Sequence, residues 1–149
     1  MKNIKKQVVK AFLPLLATTL LLGAFTTTMA ADSAHKMVIQ VSTDDARTQK
    51  IALNNAVNLQ KLYGMDNVAI EVVAYGPGLS LLTKKSKQAD RVKSLAVQNI
   101  TFSACNNTMK KIEKKTGKKP QLVEGVGVVN AGVARILALQ EQGYAYLRP

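Results

Sequence analysis

The sequence predicts an α/β domain with three layers, α/β/α, built on a mostly parallel, twisted sheet of about five strands. Two observations carry this. Short apolar, β-prone runs alternate with amphipathic helical stretches along residues 36–147, the pattern of successive strand–helix–strand units. The run at 67–74 (NVAIEVVA) is also almost continuously apolar, which marks a strand covered on both faces. No internal repeat or low-complexity tract interrupts the alternation.

Residues 36–42 (KMVIQVS) read as the first strand, after a flexible lead at 32–35. Asp44 and Asp45 then offer side-chain oxygens to the free N–H groups of a helix start. Over 46–63, Ala52, Ala56, Leu59 and Tyr63 recur at helical spacing, with Leu53, Val57 and Leu62 beside them, and Gly64 ends the helix. The second strand is 67–74. Tyr75-Gly76-Pro77-Gly78 forms a tight loop, and 79–84 begins a short helix. A helical stretch at 88–97 turns Val92, Leu95 and Ala96 to one side. The third strand covers 99–104, and the next helix covers 106–116, ended by Gly117 and Pro120. A strand at 121–128, a helix at 130–142 with Val133, Ile136, Leu137 and Leu139 inward, and a last strand at 144–147 complete the chain. Ligands of open α/β sheets bind at the carboxyl ends of the strands. The loops at 43–45, 75–78, 105–108 and 128–130 lie on that edge.

The first thirty residues stand apart. Lys2, Lys5, Lys6 and Lys10 precede an apolar run at 11–25, and small residues lead up to Ala30 and Ala31. This is the layout of a secretory signal peptide cut after Ala30. The run is short for a membrane span, which takes roughly 20 residues. The expected organisation is a signal peptide at 1–30 and a single domain at 31–149, exported to the periplasm, with no membrane span in the mature protein. The whole chain carries 21 basic and nine acidic residues. Four of the basic ones leave with residues 1–30, so the mature charge is about +8. An exported chain with a single cysteine cannot be held by intramolecular disulfides.

That cysteine, Cys105, falls where an apolar strand runs into a helix that opens Asn106-Asn107-Thr108. A thiol there faces the positive end of a helix dipole and several unpaired N–H donors, and both favour the thiolate. The residues leave two readings open: a reactive sulfur, or a small buried hydrophobe of the kind free cysteines often are.

Other chemistries lack their residues. His35 is the only histidine and falls in the expected lead, so Ser–His–Asp and Cys–His catalysis have no base and a metal site has too few ligands. Gly125-Val126-Gly127 is followed by Asn130 at the sixth position of a dinucleotide fingerprint, and the chain has no room for the acidic residue beyond it. No cofactor and no metal are expected. Lysine pairs at 110–111, 114–115 and 118–119, with Lys84, Lys85, Lys87, Arg91 and Lys93, make basic faces. They read either as solvated helix surface or as a surface for an acidic partner. No aromatic residues interleave with them, which argues against nucleic acid. The sequons at Asn99 and Asn106 lie in a strand and its turn, and read as chance.

Val72-Val73-Ala74-Tyr75-Gly76-Pro77-Gly78, Phe102-Ser103-Ala104-Cys105-Asn106-Asn107-Thr108-Met109, and the stretch from Gly132-Val133 to Gln140-Glu141-Gln142-Gly143-Tyr144-Ala145-Tyr146 resemble the DsrE/DsrF-like family, in its exported branch. The likeness spans residues 36–149. It implies a three-layer α/β/α (YchN-like) domain, assembly as homotrimers or hexamers, and a link to sulfur metabolism. It further implies that Cys105 holds and passes on persulfide sulfur. Two departures bear on that role: many similar sequences carry histidine where this chain has Tyr75, and glycine where it has Asn106.

Together these readings predict sulfur binding or relay at Cys105. The N–H groups of Asn106, Asn107 and Thr108 would steady the anion, and Asp44, Tyr75, Gly76, Pro77, Gly78 and Asn130 would wall the pocket. The partners would be a small sulfur species or a protein thiol. On this reading the chain would be a carrier, resembling a sulfurtransferase, and not a turnover enzyme in the usual sense. The alternative is a non-catalytic binding or assembly module with a structural cysteine, whose basic faces recruit an acidic partner.

Overall fold

The computed structural model describes residues 34–149; the signal peptide expected at 1–30 lies outside them. Five strands, β1 His35–Val41, β2 Val68–Ala74, β3 Ile100–Cys105, β4 Val126–Val129 and β5 Ala145–Leu147, form an all-parallel sheet in the order β4-β3-β2-β1-β5. Between them run the helices α1 Ala46–Tyr63, α2 Ala89–Val97, α3 Asn106–Thr116 and α4 Gly132–Glu141, with a 3₁₀ segment at Gly76–Leu82.

Strand order decides which face each helix covers. The steps β1 to β2, β2 to β3 and β3 to β4 all move the same way across the sheet, so right-handed crossovers put α1, α2 and α3 on one face. The return from β4 to β5 crosses back over three strands, and α4 lies on the other face. The two cores reflect this. Ile39, Val41, Ile70, Val72, Ala74, Ile100, Phe102 and Ala104 alternate along their strands and pack on Ala52, Leu53 and Ala56 of α1, Val92 and Leu95 of α2, and Met109 of α3. Val38 and Val73 point the other way, onto Ile136 and Leu139 of α4, with Tyr75 and Tyr144 alongside.

The smaller face also buries charge. Glu71 is 3% exposed. Its Oε1 accepts from Ser103 Oγ at 2.6 Å and from Arg135 Nε at 2.8 Å, and its Oε2 from Arg135 Nη2 at 2.6 Å. A carboxylate is tolerated inside only with such partners, and this fork ties α4 to β2.

The structure departs from the sequence reading in five places. Residues 121–123 do not join the sheet: Lys84 N–H donates to Gln121 O and Val123 N–H to Leu82 O, an antiparallel pairing with the end of the 3₁₀ segment. Gly125, at φ +84°, then redirects the chain, so β4 starts only at Val126. The loop at 75–78 and the helix expected at 79–84 merge into one 3₁₀ segment. Its Gly78 lies so close to the end of β1 that a Cβ would sit 2.1 Å from Val41 O. Val133 and Leu137 face outward, 68% and 58% exposed, because α4 is the one described helix on that face and only its 132–136–139 stripe meets the sheet. Asp45 alone caps α1, accepting from Thr48 N–H at 2.7 Å. His35 is no lead residue but the first of β1, stacked on Tyr63 with ring centroids 3.8 Å apart. It stands at the amino edge of the sheet, roughly 20 Å of strand from the edge that bears Cys105.

Candidate functional site

β3 delivers its chain to α3 on one face and its neighbour β4 delivers to α4 on the other. The two loops diverge, leaving a crevice at the carboxyl edge. This is the topological switch point at which open α/β sheets bind ligands. Cys105, the last residue of β3 and the N-cap of α3, stands there with Val129 of β4 as its register partner. A hydrogen bond from Asn107 N–H to Asn130 O, 3.3 Å, bridges the two loops.

Cys105 is 5% exposed, with extended backbone (φ −72°, ψ 115°), and its side chain makes no capping hydrogen bond. Its sulfur instead sits among several donors. Burial pushes the thiol up. The N–H of Gly132, the hydroxyl and N–H of Thr108, and the N–H of Asn107 pull it down by more, so the net pKa lies below the ordinary value of 9.0. The donors come from the first turns of two helices, α3 and α4, whose N-terminal partial positive charges both favour a thiolate.

Second contacts hold these donors in place. Gly76 N–H donates to Thr108 Oγ1 at 2.9 Å, which leaves the hydroxyl proton free for the sulfur. The Tyr75 side chain closes over Gly132: a Cβ there would sit 3.0 Å from Tyr75 Cβ and Cδ1. Any larger residue there would require the Tyr75 side chain to give by a few tenths of an ångström. Three residues further on, Arg135 ends in the fork with Glu71, whose other partner is Ser103, two residues before Cys105 on the same face of β3.

The expected site residues fall into four groups. Cys105, Asn107, Thr108, Gly76, Tyr75 and Asn130 come together at the crevice. Asn106 opens α3 but is not among the groups that lower the thiol's pKa. Asp44 and Pro77 line an adjoining groove, whose lining Gly76 and Thr108 share. Gly78 is buried behind the site, against β1. Three contributors escaped sequence reasoning: Gly132, Glu71 and Arg135. Glycine two residues beyond Asn130 was the available signal for the first. Glu71, a lone charge inside an apolar strand, was the signal for the second. Among the described residues no three His, Cys, Asp or Glu side chains gather to hold a metal.

Residues 35–149 match the sequence model of the DsrE/DsrF-like family. No curated protein matches the chain. Among solved structures, the chain is similar to MTH1491 from Methanobacterium thermoautotrophicum, described as a protein of unknown function. The two are 34% identical over 77% of this chain and 99% of that one, with a TM-score of 0.69. It also shares the fold of the ychN protein of E. coli, at 12% identity, a TM-score of 0.60, and coverage of 79% of this chain and 100% of that one.

Proposed function

The chain belongs to the DsrE/DsrF-like family, and on that premise we propose that it is a sulfur carrier working through Cys105. The observation that carries the proposal is the convergence of two helix N-termini and the Thr108 hydroxyl on one sulfur. A cradle of donors without a base suits a group that must hold negative charge on sulfur, first as thiolate and then as persulfide.

The Cys105 thiolate attacks the terminal sulfur of a polysulfide. One S–S bond forms, one breaks, and the polysulfide leaves one sulfur shorter with the electron pair of the broken bond. The anionic outer sulfur of the persulfide stays among the same donors. No second cysteine is present to resolve it, so discharge goes to a thiolate on another molecule, which takes the outer sulfur and restores the Cys105 thiolate. The protein is exported by way of residues 1–30, acts in the periplasm, and assembles with copies of itself as trimers or hexamers. The exposed Val133 and Leu137 on α4, with Tyr146 on β5, support assembly.

The burial of Cys105 favours a second reading, a binding or assembly module with a packed core thiol. Intact mass after incubation with polysulfide separates the two. A carrier gains whole sulfur atoms, loses them to reductant, and gains none as Cys105→Ser. A folded protein that gains no sulfur supports the second reading.

A further inference from the structure

A groove of about 1070 Å³ lies beside the cysteine crevice, between α3 and the 3₁₀ segment with the loop that follows it. Six lysines line it: Lys85 and Lys87 from that loop, Lys111 and Lys115 from α3, and Lys118 and Lys119 from the segment after α3. All six are exposed. None takes part in the ion pairs found among the described residues, Lys93–Glu124 and Arg135–Glu71. Asp44 is the one acidic residue on the lining.

The lysines do not make up the whole lining. Pro77, Ile112 and Pro120 line it too, beside serine, threonine and glutamine side chains, and lysine methylene stems can add to this apolar surface. A lining that offers apolar surface beside its lysines gives an inorganic polyanion, which has nothing to bury, less than it gives a peptide. No aromatic side chain lines the groove, so stacked bases find no platform. Spacing narrows the choice further. Lys111 and Lys115 are one helical turn apart, about 6 Å along the axis. An extended peptide with carboxylates at every second residue repeats at about 7 Å and turns the intervening residues to the opposite side.

We propose that this groove binds an extended segment of a partner protein in which acidic and apolar residues alternate. Carboxylates pair with the lysines while apolar side chains rest on Pro77, Ile112 and Pro120. The groove reaches Thr108 and Gly76 at the rim of the crevice, so a seated segment ends beside the cysteine. The inference does not depend on sulfur chemistry: an inert thiol leaves the groove standing, and an empty groove leaves the thiol standing.

The test is fluorescence anisotropy of a labelled synthetic octapeptide of alternating Glu and Leu, titrated with the purified protein. Saturable binding is expected. The double variant Lys111→Glu/Lys115→Glu should weaken it at least tenfold. Lys50→Glu/Lys61→Glu, with the same change in charge on α1, should weaken it less than threefold. An alternating Glu and Ser peptide should bind at least fivefold more weakly. Should the α3 variant misfold by circular dichroism, Lys118→Glu/Lys119→Glu takes its place. Equal losses in the groove and α1 variants, equal binding of the Glu–Ser peptide, absence of saturation, or displacement of the peptide by equimolar single-stranded oligonucleotide would each overturn the proposal.

Discussion

Gly76 donates its backbone N–H to Thr108 Oγ1 at 2.9 Å, and this one bond orients the hydroxyl that steadies Cys105. Accepting from Gly76 leaves the Thr108 hydroxyl proton available to the sulfur. The loop after β2 thus acts on a residue of α3, across a gap of 32 positions in sequence.

Thr108→Val keeps the side-chain shape and removes both interactions. Hydrogen bonds to a charged group contribute about 1.5–3 kcal/mol, so the Cys105 pKa should rise by roughly one unit or more. The pH dependence of alkylation rate, compared with that of the unaltered protein, reads this shift.

Gly132→Ala should raise the thiol pKa in the same assay by a different route. The new Cβ presses on Tyr75, 3.0 Å away, and either the ring or the first turn of α4 must give. Stability should fall by about 1–2 kcal/mol from overpacking. Shortening the ring, as Tyr75→Ala, should recover part of the pKa change in the double variant.

Much of this was legible in sequence. The bounds of α1 and α3 follow from their apolar spacing and closing glycines, and Cys105 lands at the carboxyl edge because a β-prone run meets Asn106-Asn107-Thr108 there. What escaped has one cause: it depends on contacts between segments remote in sequence. Gly132 reaches Cys105 only because α4 crosses to the other face of the sheet. Glu71 is harmless in β2 only because Arg135, 64 residues later, comes down on it. Val133 and Leu137 satisfy helical periodicity as well as Ile136 and Leu139 do, and they stay exposed because no other described helix packs beside α4.

Arg135→Met strands the Glu71 carboxylate inside the protein. The guanidinium side chain is 35% exposed, so the loss should be roughly 2–3 kcal/mol, below the ~3–5 of a wholly buried pair. The double variant Arg135→Met/Glu71→Gln should lose less than Arg135→Met alone. Urea unfolding measures both.

Gly78→Ala should be among the most damaging single changes outside the site. Its Cβ would meet the backbone oxygen of Val41 at 2.1 Å, where no flexible side chain can yield. Destabilisation of about 3 kcal/mol or more is expected, at the upper end of overpacking effects, read as a lowered thermal midpoint.

Stability should also respond to the thiol. Because the folded pKa of Cys105 lies below its ordinary 9.0, the native state holds fewer protons than the unfolded chain between those two values, and stability rises with pH there. The contribution is complete above the unfolded value and is lost as pH falls through the folded one. Cys105→Ser should remove this increment, seen as the difference between the two proteins' stability-versus-pH curves.

The most direct test of the account is the rate at which iodoacetamide modifies Cys105 in the folded protein, followed across pH. The chain has no other cysteine to confuse the signal. The account predicts that the thiol reacts in the native state, with half-maximal rate at a pH below 9.0. A thiol that reacts only after unfolding, or that titrates at 9.0 or above, would contradict it and leave Cys105 as core packing.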